Sequence, residues 1–217
     1  MRKYFLVSMM FTASLGLARA QDGFVAQSGA PLSYNVFDKD GKTFVNPAPD
    51  VAGSPFLKDD WKLATLVAST NRRYDSVKVR LNLLSQEVHF LDRNNNEMAL
   101  AKGYIKEVLL PGWVPGEQLR FQNGFPPVDE QDGNNFYEVM AEGKLWLLHS
   151  SRKIIVTLKD EVSGIVNKEY RLYEDYYIYD GKTMQRVRKE KANIGGKEVK
   201  FKSIDALKKA IDQQNVL

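Results

Sequence analysis

The stretch VKVRLNLLSQEVHFLDRNNN, from Val77 to Asn96, alternates apolar and polar residues on both sides of one short interruption. A period of two puts Val77, Val79, Leu81 and Leu83 on one face of a strand and Lys78, Arg80 and Asn82 on the other. After a turn around Ser85 the pattern resumes, with Val88 and Phe90 on the apolar face and Glu87 and His89 opposite. One dry face and one wet face are what an antiparallel hairpin at a sheet surface requires, and His89 then reads as a solvated surface residue.

The same logic recurs in FYEVMAEGKLWLLHSSRKIIVTLKD, with turns expected at Glu142-Gly143 and near Ser150-Ser151. It recurs again in YRLYEDYYIYDGKTMQRVRKE, where Asp180-Gly181 is a type I′ hairpin signal. Successive short strands joined by tight turns predict a mainly β domain: an antiparallel meander forming a curved sheet or sandwich. Strand-helix-strand alternation is missing, which argues against a doubly wound fold. One helix is expected, in SIDALKKAIDQQNVL, with Ser203 capping it, Asp205 in its first turn and Ile204, Leu207 and Ile211 at helical spacing. That apolar stripe predicts packing of the C-terminal helix on the sheet.

Residues 1–20, MRKYFLVSMMFTASLGLARA, place Arg2 and Lys3 before an apolar run and small residues, Ala18 and Ala20, at a cleavage site. This is the pattern of a secretory signal peptide, cut near Ala20. The apolar run from Tyr4 to Leu17 contains Ser8, Thr12, Ser14 and Gly16 and falls short of the roughly 20 residues that a membrane span needs. No transmembrane segment is expected in the mature chain. Its predicted location is periplasmic or extracellular. Residues 21–55 read as an extended segment with a short hairpin at Asp40-Gly41, followed by NPAPDVAGSP as a linker or strap. Residues 56–217 read as a single β-rich domain closed by the helix.

Arg2, Lys3 and Arg19 carry three of the four net positive charges, so the processed chain would be close to neutral. The remaining charge is uneven. Residues 182–217 hold ten Lys or Arg against four Asp or Glu, which leaves residues 21–181 acidic. A basic end on an acidic body is compatible with an anionic partner, and export disfavours nucleic acid as that partner. Cysteine is absent, so stability has to come from the core rather than from disulfides.

Catalytic side chains are scarce: the chain has two histidines and no thiol. His149 precedes Ser150 and Ser151, but neighbours on a strand point to opposite faces, and no G-x-S-x-G elbow is present to hold a nucleophile. His149 therefore reads as an ordinary strand or turn residue. Asp92 to Glu97, DRNNNE, begins like a calcium loop but puts Glu97 where the sharp-turn glycine belongs and Gly103 where the bidentate glutamate belongs. A polar turn is the better reading. Asp129 to Asn135 is a second acidic loop with the oxygens to hold calcium adventitiously. No metal, no cofactor and no catalytic residue is expected. A carboxylate pair for glycoside hydrolysis would be assembled only by folding, and sequence singles out no two acids.

Two features stand above this background. Tyr170, Tyr173, Tyr176, Tyr177 and Tyr179 fall within ten residues, and on a strand Tyr173, Tyr177 and Tyr179 share a face with Asp175. Outward-facing rings would form a platform for a sugar, a peptide or a partner protein. The segment from Pro111 to Asn135 carries Trp113, Phe121 and Phe125 among prolines and glycines that forbid one continuous regular element. Such a loop is either functional or a lid tucked on the core. The candidate ligand-binding residues are Trp113, Phe121, Phe125, Tyr173, Tyr177 and Tyr179.

The segments GSPFLKDDWKLATL, VKVRLNLLSQEVHFL and YYIYDGKTMQRVRKEKANI together resemble a group of small exported proteins of Gram-negative bacteria. The group shows a Gly-Ser-Pro lead-in, an Arg-x-Asn strand, here Arg80 and Asn82, and a Tyr-rich strand before a basic tail. The resemblance covers most of Gly53 to Leu217 and implies export and a β-rich fold. No activity is attached to the group, so it transfers no catalytic or binding residue.

Taken together, the expectation is a non-enzymatic exported protein that binds an apolar or glycan ligand, or a partner protein, in the cell envelope. The partner would be an envelope protein, a lipid or a glycan. The alternatives are a carboxylate-based hydrolase acting on envelope polysaccharide and a structural or assembly protein of the envelope.

Overall fold

The computed structural model describes residues 50–159, 161, 164–188, 190–194 and 196–216. The expected signal peptide and the expected hairpin at Asp40-Gly41 lie outside them. The described chain forms strands β1 (Lys62–Ala68), β2 (Arg73–Asn82), β3 (Glu87–Leu91), β4 (Glu97–Ala99), β5 (Ile105–Pro111) and β6 (Gln118–Gln122). It continues with β7 (Tyr137–Ala141), β8 (Trp146–Lys159), β9 (Val166–Tyr179), β10 (Met184–Arg186), β11 (Lys191–Ile194) and β12 (Lys197–Lys200), and ends in helix α1 (Ile204–Val216).

The first ten strands make one antiparallel sheet in the order β10-β9-β8-β7-β6-β5-β1-β2-β3-β4. Two meanders meet at β1, which pairs with β2 on one side and β5 on the other. The sheet is curved but not closed, so of the two expected forms the curved sheet is the one adopted. Register shifts in the β1/β2, β1/β5 and β7/β8 pairs add the local twist that bends it.

The period-two faces of β2 and β3 fall as the alternation requires. Val77, Val79, Leu81, Leu83, Val88 and Phe90 are all buried in the main core with residues of β1, β5 and β6. The opposite face is not wet, however. Phe56 packs edge-on against His89 with ring centroids 5.0 Å apart, and Arg80 lies over the rings of Phe56 and Trp61 at 3.7 and 4.6 Å. His89 is fully buried, with Nδ1 2.7 Å from Glu97 Oε1. The expectation of a solvated His89 fails because the strap before β1 covers a face that local alternation marks as exposed.

That strap stitches the curve together. Ala52 N–H donates to Lys168 O and its carbonyl accepts from Tyr170 N–H on β9, while Leu57 N–H and Pro55 O pair with Leu81 and Leu83 at the end of β2. The β2–β3 turn in turn reaches β8, where Lys153 N–H donates to Leu83 O. Gln86 completes the link by donating to Leu83 O and Ser151 O and accepting from Phe136 N–H.

Three local readings need correction. No turn interrupts Ser150-Ser151; β8 runs through both as one 14-residue strand. The buried Ser150 hydroxyl is satisfied by donating to Gln131 Oε1, a partner 19 residues away that local sequence cannot reveal. The turn after β9 spans four residues, because Tyr179 pairs with Met184, and Asp180 Oδ1 accepts the Lys182 and Thr183 N–H groups. Finally, the segment from Pro111 to Asn135 contains a regular strand, β6.

Helix α1 follows its sequence signals. Ser203 caps it by accepting Ala206 N–H, and Leu207 and Ile211 are completely buried. They form a second core with Ala141, Leu145, Leu147, Ile178, Ala192 and Ile194, so the helix covers β7, β8 and the β11–β12 hairpin.

Candidate functional site

Residues paired across an antiparallel ladder share a face, and this rule assembles a cleft on the inner side of the sheet. Phe121 of β6 is opposite Glu138 of β7, Glu138 opposite His149 of β8, Ser151 opposite Glu174 of β9, and Lys153 opposite Leu172. Leu57 of the strap, Leu83, Leu119 and Trp113 complete a cleft of about 210 Å³. Its lining mixes the apolar side chains of Leu57, Leu83, Trp113, Leu119, Phe121 and Leu172 with a polar part of the floor, Glu138, His149, Ser151, Lys153 and Glu174.

The floor is organised around His149. Its Nδ1 lies 2.9 Å from Glu138 Oε2 and its Nε2 lies 3.2 Å from Glu174 Oε1, while the ring stacks on Tyr176 at 4.6 Å and 12°. The contact with Glu138 is a hydrogen bond, whereas Glu174 stands at ion-pair distance from the other nitrogen. Ser151 Oγ is 3.5 Å from the same Nε2, at the outer limit of a hydrogen bond. Lys153 donates to the carbonyls of Ser54 and Phe56, which fastens the strap over one end of the cleft. Burial pushes the Lys153 ammonium down, with Asp59 opposing and Lys58 adding to that shift.

An acid, a histidine and a serine thus come together where the sequence reading had kept them apart. Ser150 does face away from His149, but Ser151, two positions on, returns to its side. Among the described residues, the geometry around Ser151 is not that of an acyl-transfer nucleophile. Glu174 lies closer to Nε2 than Ser151 does, and the backbone N–H groups of a paired strand lie in the plane of the sheet rather than above the serine. Glu138 and Glu174 approach the two nitrogens of a single ring, so the cleft holds the pair of carboxylates that glycoside hydrolysis uses. Each is engaged with His149, so neither can hand a proton to a leaving group without first giving up the ring.

The six aromatic candidates separate into different environments. Trp113 sits at the cleft rim, 36% exposed, with the Lys58 and Lys62 ammoniums 5.8 and 5.9 Å from its ring. Phe121 is buried but lends its edge to the cleft wall. Phe125 and Tyr177 are buried on the opposite face with Tyr137 and Leu148, with Tyr179 and Trp146 packed against them. There Tyr177 donates its hydroxyl to Asp129 and accepts from Gln131 Nε2. Burial, followed by that bond to Asp129, raises the Tyr177 phenol.

An outward platform is only one reading of the odd-numbered face of β9, and the loop before β7 lies over that face, with Phe125, Val128 and Asp129 against Tyr177. It leaves Tyr173 as its exposed ring, 38% accessible, beneath the Arg152 guanidinium at 5.4 Å. The loop is therefore a lid on the core, as one of its two readings allowed. Of its acidic residues, Asp129 holds the Tyr177 hydroxyl and Asp132 serves the loop itself, its Oδ1 accepting Asn134 N–H; in the other polar turn Asp92 Oδ1 accepts Asn94 and Asn96 N–H.

Sequence reasoning missed Glu138, Glu174, Ser151 and Lys153. The available signal was the spacing of two that puts Ser151 and Lys153 on the His149 face of β8; Glu138 of β7 and Glu174 of β9 join that face only through the pairing register. Comparison of the chain with protein-family models, with curated proteins and with solved structures found no match to any of them.

Proposed function

We propose that this is an exported binding protein whose inner cleft holds a small glycan unit. The observation that carries the reading is the meeting in one cleft of apolar side chains, the Trp113 ring among them, with acceptors and donors centred on His149. A sugar ring has an apolar C–H face and an edge of hydroxyls, and it can satisfy both sides at once. A wholly apolar ligand would strip water from Glu138, Glu174 and Ser151 without replacing its hydrogen bonds, a cost on the order of 1 to 3 kcal/mol per group. A cleft of about 210 Å³ is sized for a single ring or chain end rather than a long acyl chain. Export rests on the leader, MRKYFLVSMMFTASLGLARA.

The test is native mass spectrometry of protein purified from its exporting cells, alongside titration with soluble fragments of envelope polysaccharide read by tryptophan fluorescence. Saturable binding lost on Trp113→Ala is the expected outcome. Retention of a lipid, or no fragment bound by a folded protein, would overturn the reading. A second reading is hydrolysis of the same glycan, favoured by the two carboxylates on either side of His149. It requires turnover of the bound fragment that ceases in both Glu138→Gln and Glu174→Gln.

A further inference from the structure

Outside the cleft, the largest unexplained feature is the charge of the lobe made by β11, β12, their flanks and α1. Residues 182–217 carry ten Lys or Arg against four Asp or Glu, whereas residues 50–181 carry sixteen against twenty. Much of that charge is idle within the fold. Lys191 pairs with Glu198 at 3.0 Å and Lys208 with Asp212 at 2.9 Å, and Arg186 is held by Asp175. Arg188, Lys197, Lys200, Lys202 and Lys209 are exposed and make no ion pair among the described residues.

The hairpin register adds to this. Lys191 stands directly opposite Lys200, so two ammoniums share one exposed face where an acid would stabilise the pair better. Folding of the lobe is driven from the other side, by Ala192, Ile194, Leu207 and Ile211 in the second core. The unpaired outer cations add no ion pair to it among the described residues, and their mutual repulsion works against it.

We propose that this basic lobe is the surface by which the protein adsorbs to a membrane rich in anionic phospholipid headgroups. The cations are lysines for the most part, separate exposed point charges, a pattern that suits the diffuse negative potential of a bilayer. The apolar stripe of α1 is spent on the second core, so contact is electrostatic and peripheral rather than by insertion. A lobe of this kind has no aromatic platform on which nucleic-acid bases would stack.

Co-sedimentation of the purified full chain with vesicles tests the proposal. Retention is expected on phosphatidylcholine vesicles containing about a third phosphatidylglycerol and not on phosphatidylcholine alone, falling at least roughly tenfold as salt rises toward 1 M and the Debye length shrinks to about 3 Å. The triple variant Lys200→Glu, Lys202→Glu, Lys209→Glu should lose retention with an unchanged thermal melt, while Lys78→Glu with Lys102→Glu should keep it. Equal retention on neutral vesicles, full retention by the triple variant, or capture by a soluble polyanionic glycan with none by anionic vesicles would each overturn it. Glycan titration of the cleft is a separate readout, so either proposal can fail alone.

Discussion

Asn215 grips the backbone of Leu145 at both ends: its Oδ1 accepts the Leu145 N–H and its Nδ2 donates to the Leu145 carbonyl, each at 2.9 Å. One side chain thereby acts as an extra strand residue and ties the last turn of α1 to the β7–β8 connection. Asn215→Ala should cost about 1 to 3 kcal/mol, since it leaves two backbone groups without partners. Gly143→Ala should cost a similar amount, because a methyl group there would fall 2.4 Å from Asn215 Cγ. Urea denaturation of the two variants and their double mutant checks this, and additive losses would show that the two residues are not coupled.

Glu97 predicts acid sensitivity. Burial works to raise its carboxyl, but the hydrogen bonds from His89 and Arg80 outweigh burial and hold it below the usual glutamate range. A folded-state value below the unfolded one supplies stability that is complete above the ordinary value of 4.5 and is lost as pH falls through the folded value. Urea midpoints should therefore decline below that pH. Glu97→Gln should be less stable at neutral pH and show a flatter acid decline; an unchanged acid slope would remove the assignment.

Gln86 should be among the costliest polar residues to replace. It is buried, it adopts a left-handed backbone with φ of 57°, and its amide joins the β2–β3 turn to β8 and to Phe136. Gln86→Leu leaves the Phe136 N–H and the Ser151 carbonyl unsatisfied, a loss of roughly 2 to 5 kcal/mol. Hydrogen exchange at Phe136 provides a local readout and should accelerate in any variant that still folds.

Tyr177 and Trp113 should behave oppositely, although both are aromatic candidates from the same sequence. Tyr177→Phe removes the hydroxyl that Asp129 and Gln131 share, so it should lower the melting temperature, by about 1 to 3 kcal/mol of stability, and leave glycan binding intact. Trp113→Ala, at the exposed rim, should leave the melt nearly unchanged and weaken binding about tenfold or more. A reversed pattern would locate the ligand on the other face of the sheet.

Local pattern and tertiary structure contributed different parts of this protein. Alternation from Val77 to Phe90, the Ser203 cap and the Leu207–Ile211 spacing state the sheet, its buried face and the helix, because side-chain direction along a strand or helix is set by backbone geometry within a few residues. Which faces meet was beyond that information. His89 looks wet until Phe56, 33 positions earlier, is laid across it, and Ser150 looks like a turn until Gln131 accepts its hydroxyl. The cleft belongs to this second kind: Glu138, His149, Ser151 and Glu174 come from three strands, and only the pairing register decides that they share one side.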